Sequence, residues 1–349
     1  GDVYKRQVFP SKGVYFVSLG GIGEIGANCY LYCCDGKWVM IDLGLAFADE
    51  KYPGIDLLVP KLDFLDKLSN HLEAIIISHG HEDHAGAVAF FADKIHCPVY
   101  ATGFAKSLIE SRLKEFGKLD KVDLISINPK KIITLNNFKI QFISTTHSIP
   151  EPYSIIIDTN YGKLLHTADW KIDSNPLLGD QFDSQAFKDL GNEGLLALIG
   201  DSTNADIPGY SKSELEVREE LIKLFSRYHQ RIVITCFSSN IARIDRDTTR
   251  KRNSMNNYLE KVNTGEIDIL VGTQMITKGH HFPNVTLTAI IDADRGLFST
   301  DFRASERLAQ LFMQVSGRTG RGKKEGTVIV QTYSPDHPLF HTLIKHGYN

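Results

Sequence analysis

The sequence predicts an α/β protein built in two parts, and three observations carry that expectation. Over Val14 to Leu45 (VYFVSLGGIGEIGANCYLYCCDGKWVMIDLGL), short apolar runs follow one another across glycine-rich and polar turns. From about Asp245 onward, strand-like runs alternate with helix-like ones, the pattern of a parallel α/β unit. The two stretches also differ in charge. From Arg246 to the end there are 14 Lys+Arg against 10 Asp+Glu, and before it 25 against 32, so a chain of net charge −3 divides into parts of opposite sign.

In the first part, Val14–Leu45 reads as successive strands with Asp35-Gly36 as a hairpin turn. The string GGIGEIG only loosely resembles a dinucleotide-binding fingerprint, because strand-like rather than helical sequence follows it. Leu72 to Ser78 (LEAIIIS) is a buried-strand run, and Ala85 to Ile95 (AGAVAFFADKI) is expected to open a helix. Between them lies S-H-G-H-E-D-H-A-G, Ser78 to Gly86. Imidazoles at alternate positions, followed by an adjacent Asp and His, can converge from one turn on two neighbouring divalent ions. Later strand ends offer two more candidates: His147 in TTHSIP after KIQFIS, and Asp169 in LLHTADW.

Composition sets limits. A hydrophobic fraction of 42% with 23% charged residues is ordinary for a soluble globular chain. The longest apolar runs fall well short of the roughly 20 residues that cross a bilayer, so no membrane partner and a cytoplasmic location are expected. Five cysteines without a C-x-x-C argue for buried reduced thiols rather than a disulfide framework or a zinc knuckle. The opening GDVYKRQ has no periodicity, and residues 1–13 read as a non-native extension.

The motifs HGHEDH, TTHS and HTADW resemble the metallo-β-lactamase fold. GDSTNAD (Gly200 to Asp206) and FSSNIARI (Phe237 to Ile244) narrow the resemblance to the β-CASP branch and its ribonuclease J family. That resemblance implies an αβ/βα sandwich core over 14–205 and the start of a β-CASP domain over 206–244. It implies that His79, His81 and His147 hold one ion, that Asp83 and His84 hold a second, and that Asp169 bridges them. The ions would be zinc or manganese and the substrate RNA. Asp83, Asp169 and Asp201 would be the catalytic residues, with Asp201 orienting neighbouring ligands, and Ser238, Ser239 and Asn240 would face the RNA backbone. The family's later H-x-S-G-H-type motif is absent, with His280 and His281 its only imitation, so six of seven expected ligands are present and the second ion is expected to bind weakly.

In the second part, Ser254 to Glu266 (SMNNYLEKVNTGE) reads as a helix, IDILVG, VTLTAIIDAD and GTVIVQTY as strands, and ASERLAQLFMQVSGR as a helix with Leu308, Leu311, Phe312 and Val315 on one face. A Gly-Thr-Gln turn and the arginine pair Arg318 and Arg321 carry phosphate-contact chemistry. TQMITKGHHFPNVTL, FRASERLAQLFMQVSGRTGR and HPLFHTLIKHGY resemble the C-terminal RecA-like lobe of superfamily 2 helicases, most closely the primosomal replication-restart (PriA) family. The resemblance implies that Gly272, Thr273, Gln274 and Lys278 couple DNA contact to ATP state, and that Gln314, Arg318 and Arg321 reach the ATP phosphates. With neither a G-x-x-x-x-G-K-[ST] loop nor a D-E-x-H box, ATP and magnesium are expected only beside a complementary lobe. The helicase part, 245–349, is expected to lack its leading strand, and open strand edges predict self-association. Arg243 and Ile244 fit both patterns, so the chain is expected to be a chimera of two truncated frames, its activity that of an impaired ribonuclease or of a nucleic-acid-binding and metal-binding module.

Overall fold

A computed structural model describes residues 11–48, 52, 54–55, 57–62, 65–68, 70–206, 208–227, 231–235, 269–272, 285–291, 293, 304–316, 327–332 and 334–346. The chain divides into two units, Gly1–Leu215 and Glu216–Asn349.

The first unit is a four-layer sandwich. Its first sheet takes the order β1-β2-β3-β6-β7-β8, from Val14–Gly20, Cys29–Cys34, Lys37–Ile41, Leu72–Ile77, Val99–Ala101 and Leu124–Ser126. Its second takes the order β13-β12-β11-β10-β9, from Ala197–Ile199, Gly162–His166, Tyr153–Thr159, Lys139–Ser144 and Ile133–Thr134. Strand β2 is buried along its whole length, and its alternation assigns each residue to a layer. Cys29, Leu31 and Cys33 join the core beneath α1 (Leu65–Leu68) and α3 (Gly103–Glu115). Tyr30, Tyr32 and Cys34 join Ile140, Ile155, Ile157 and Leu164 of the second sheet. The outer face of that sheet, with Ile143, Ile156 and Leu165, is covered by α4 (Ser184–Glu193) through Leu190 and Phe187. Each fully buried aliphatic side chain in these layers contributes roughly 1.5–3 kcal/mol.

The hairpin at Asp35-Gly36 has positive φ at both residues, 48° and 81°, as a tight turn between β2 and β3 requires. The expected helix from Ala85 does not form. Helix α2 stops after Glu82–Ala85, because the Ala87 amide donates to the Leu43 carbonyl (3.0 Å) instead of continuing the helical ladder. Cys29, Cys33, Cys34 and Cys97 are buried and form no disulfide.

In the second unit a wholly parallel sheet runs β15-β14-β16-β17, from Ile269–Gly272, Arg231–Thr235, Val285–Ile290 and Thr327–Val330. Strand β14 lies ahead of residues 245–349, and the other three strands lie within them. Its run RIVIT pairs in parallel with β15 on one side and β16 on the other, a placement that a β-branched run suits. Helix α6 (Ala304–Ser316) turns Leu308 and Val315 into a core with Ile290 and with Phe340 of α7 (Pro338–His346), and Leu311 and Phe312 pack against it. No described helix is long and apolar enough to cross a membrane.

Candidate metal centre

The site forms where the C-terminal ends of β3, β6, β10 and β12 meet. The Ser78–Gly86 turn follows β6, His147 follows β10, and Asp169 follows β12. Two groups of ligand atoms result, each within 4.8 Å: His79, His81, His147 and Asp169 in one, Asp83, His84 and Asp169 in the other. The six side chains named from sequence are therefore brought together, with Asp169 shared.

Hydrogen bonds set which ring nitrogens face inward. The Ser78 hydroxyl donates to Asp42 Oδ2 (2.9 Å), so its oxygen accepts the His79 Nδ1–H (3.0 Å) and His79 Nε2 keeps a lone pair for the site. That nitrogen lies 3.0 Å from His81 Nδ1, which lies 3.1 Å from His147 Nε2. Asp169 Oδ2 is 3.5 Å from His147 Nε2. Imidazole nitrogens converging this closely suit a cation between them, and the histidine and carboxylate donor set fits zinc or manganese. In the second group, His84 Nδ1 donates to Asp42 Oδ2 (2.7 Å), which turns Nε2 toward Asp169 Oδ1 (3.2 Å) and Asp83 Oδ2 (3.7 Å).

Protonation follows this geometry. Burial, then neighbouring His84, holds His79 well below the ordinary imidazole value, leaving it neutral as a ligand must be. Burial also pushes His84 down, but Asp169, Asp83 and Asp42 together hold it well above. Burial raises Asp169, yet His84, His147 and His79 keep its carboxyl well below the usual range. Behind the site, burial draws His166 down to about 4 despite Asp42, and its Nδ1 meets the Tyr32 hydroxyl at 2.8 Å. His166 is thus neutral in the fold, and its share of stability is complete above the unfolded value near 6.5 and lost as pH falls from there through about 4. Acid unfolding of wild type should lose about 3 kcal/mol over that interval that His166→Gln does not, read from urea midpoints against pH.

Residues not singled out from sequence hold the ligands in place. Asp42, fully buried at φ +61°, accepts from the Ser78 amide (2.7 Å), the Ser78 hydroxyl and His84. Its only sequence signal is an acid closing the apolar run WVMI. Asn28 places Nδ2 3.0 Å from His84 Nε2 and 3.5 Å from Asp83 Oδ2. Glu151, at φ +58° in the His147 loop, accepts from the Phe104 amide at 2.7 Å on the first turn of α3. Gly80 packs against Ala105 and Leu108 of the same helix, so α3 sets the spacing between the two histidine loops while contributing no ligand. Glu151→Ala is expected to weaken metal affinity about tenfold, and Glu151→Gln, which keeps an acceptor, to restore most of it, as measured by chelator competition.

The remaining named residues are more scattered. Asp201 follows β13, and its Oδ1 accepts from the Thr203 amide (2.9 Å) and hydroxyl (2.5 Å), while its own amide donates to Thr167 Oγ1 (3.0 Å). Gly272 ends β15, and Gln314 is exposed on α6. Ser238, Ser239, Asn240, Thr273, Gln274, Lys278, His280, His281, Arg318 and Arg321 lie outside the described residues, as does the expected helix at 254–266.

Two stacked sheets between helical layers, with clustered histidines and aspartates at their edge, define an α/β sandwich with a candidate metal centre. The metallo-β-lactamase superfamily model matches residues 22–224, and the chain belongs to that superfamily. The helicase conserved C-terminal domain model matches residues 210–323. The chain is 40% identical to ribonuclease J of Sinorhizobium meliloti over 233 residues, 66% of this chain and 41% of that protein. It is 38% identical to ribonuclease J 1 of Streptococcus pyogenes over 227 residues, covering 65% and 40%. The chain thus spans about two fifths of the length of these relatives. A crystal structure of a protein of unknown function from Enterococcus faecalis V583 shares the fold, with a TM-score of 0.56 and 16% identity over 90% of this chain and 88% of that one.

Proposed function

We propose that the metallo-β-lactamase part of the chain, residues 14–244, is a metal-dependent ribonuclease of the ribonuclease J kind, hydrolysing RNA phosphodiesters. The observation that carries this reading is the convergence of His79, His81, His147, Asp83 and His84 on the shared carboxylate of Asp169. Two divalent ions held there would supply an activated water and Lewis-acid stabilisation of the charge developing on phosphate. The chain's own residues do the rest. His79, His81 and His147 would offer ring nitrogens to one ion, Asp169 would serve both groups, and Asp42 fixes the His84 ring through its Nδ1–H. Asp201 is assigned a positioning role through the Thr203 turn and the Thr167 hydroxyl. Ser238, Ser239 and Asn240 are assigned to the RNA backbone. Among the described residues the second group draws on three side chains, one of them shared, so the second ion would be the more weakly held and turnover the slower for it. Chelation should abolish cleavage of a 5′-monophosphorylated RNA, and manganese or zinc should restore it. Cleavage that persists in excess chelator would remove the metal from the mechanism.

The match to a helicase domain over 210–323 supports a second element of the proposal. Residues 245–349 are read as a PriA-like fragment that contacts DNA but does not turn over ATP alone, joined to the nuclease by a fusion of two truncated frames. ATP hydrolysis stimulated by single-stranded DNA would contradict the first point. A continuous genomic read across codons 236–252 from which a single unbroken gene emerges would contradict the second.

A further inference from the structure

We infer that Asn28 is a protein ligand of the second cation, joining Asp83, His84 and Asp169 through its side-chain oxygen. The inference rests on the metal-dependent reading above and concerns a residue that reading does not use.

Asn28 is buried at 9% exposure, and its backbone is fastened to the metal loop on one side and to the segment after β3 on the other. Its amide donates to the Asp83 carbonyl (3.0 Å), and its own carbonyl accepts from Gly44 (2.9 Å). Ala27, just before it, is held at φ +50°, a conformation costly for any residue but glycine, which aims the Asn28 side chain into the site. There its carboxamide nitrogen lies 3.0 Å from His84 Nε2 and 3.5 Å from Asp83 Oδ2, while its oxygen accepts from the Tyr30 hydroxyl at 2.8 Å.

That orientation is incompatible with a cation. Because Asp42 takes the His84 Nδ1–H, a metal must bind at His84 Nε2, and the two N–H bonds of the carboxamide would then point at a positive charge. A half-turn of the amide exchanges oxygen and nitrogen with little change of shape. Oδ1 then faces the cation, and the NH2 group donates to the Tyr30 oxygen, so both contacts survive with their polarity reversed. Among the described residues the second group holds Asp83, His84 and the shared Asp169, and the turned carboxamide adds an oxygen donor to it. A carbonyl oxygen suits manganese better than zinc, so the second position should prefer manganese.

The test is a manganese titration of the full-length chain by equilibrium dialysis, comparing wild type, Asn28→Ala and Asn28→Asp. Wild type should bind two ions. Asn28→Ala should keep the first and lose the second by about tenfold or more in affinity. Asn28→Asp, nearly the same shape with an anionic oxygen, should bind the second more tightly than wild type and keeps the test decisive if the alanine variant does not fold. Two ions bound with unchanged affinities in the variants would overturn the Asn28 assignment and leave the metal centre standing. Wild type that binds no ion would overturn both.

Discussion

Gly44→Ala is expected to lower stability by about 3 kcal/mol and to cost about 100-fold in metal-dependent cleavage. A Cβ on Gly44 would lie 1.7 Å from the Asp83 carbonyl oxygen, 2.2 Å from its carbon and 2.8 Å from the His84 amide nitrogen. These are backbone atoms, so no side chain can swing aside. The surrounding segment is also stitched in place. Leu43 donates to the His84 carbonyl, Gly44 to Asn28 and Leu45 to Glu82, and the Leu43 carbonyl accepts from Ala87. Admitting one methyl group means moving the backbone that carries Asp83 and His84, which breaks several of these bonds. Urea unfolding and metal affinity measured on the same variant check this, and a variant matching wild type in both would show that the approach is not as close as described.

The second large effect belongs to Asp42. Asp42→Ala is expected to cost about 3–5 kcal/mol, because the Ser78 amide, the Ser78 hydroxyl and His84 Nδ1 would all lose their acceptor in the interior. Metal affinity should fall by a further factor of about 10–100, since the His84 ring would no longer be held with Nε2 facing the site. Asp42→Asn keeps one acceptor oxygen and should fall between wild type and alanine in both measurements. Equal losses for the two variants would mean that the charge, rather than the hydrogen-bond geometry, is what the site uses.

The ease of reading this chain tracks the sequence distance between cooperating groups. His79, His81, Asp83 and His84 stand in one turn after an apolar strand, and that density of ligand types is visible without any fold. His147 and Asp169 are ordinary residues in isolation, and the resemblance to a family was needed to join them to the first four. Asp42, Asn28 and Glu151 act through contacts spanning 36 to 56 residues of sequence, and their neighbours carry no motif. The short apolar runs of β2 and β3 announced strands, and Asp35-Gly36 announced the turn between them. The helix expected from Ala85 failed because the Ala87 amide is used to clamp the metal loop to Leu43. In the second unit, the placement of β14 beside strands from later in the chain depends on pairing alone, which local sequence does not record.

The most direct measurement is cleavage of a 5′-monophosphorylated RNA at increasing manganese, comparing wild type with the His79→Ala, Asp83→Ala double variant. The two substitutions remove one ligand from each group and leave the shared Asp169 in place. Saturable, manganese-dependent cleavage by wild type and none by the double variant at any manganese concentration is the expected result. Undiminished cleavage by the double variant would contradict a metal centre built on these residues.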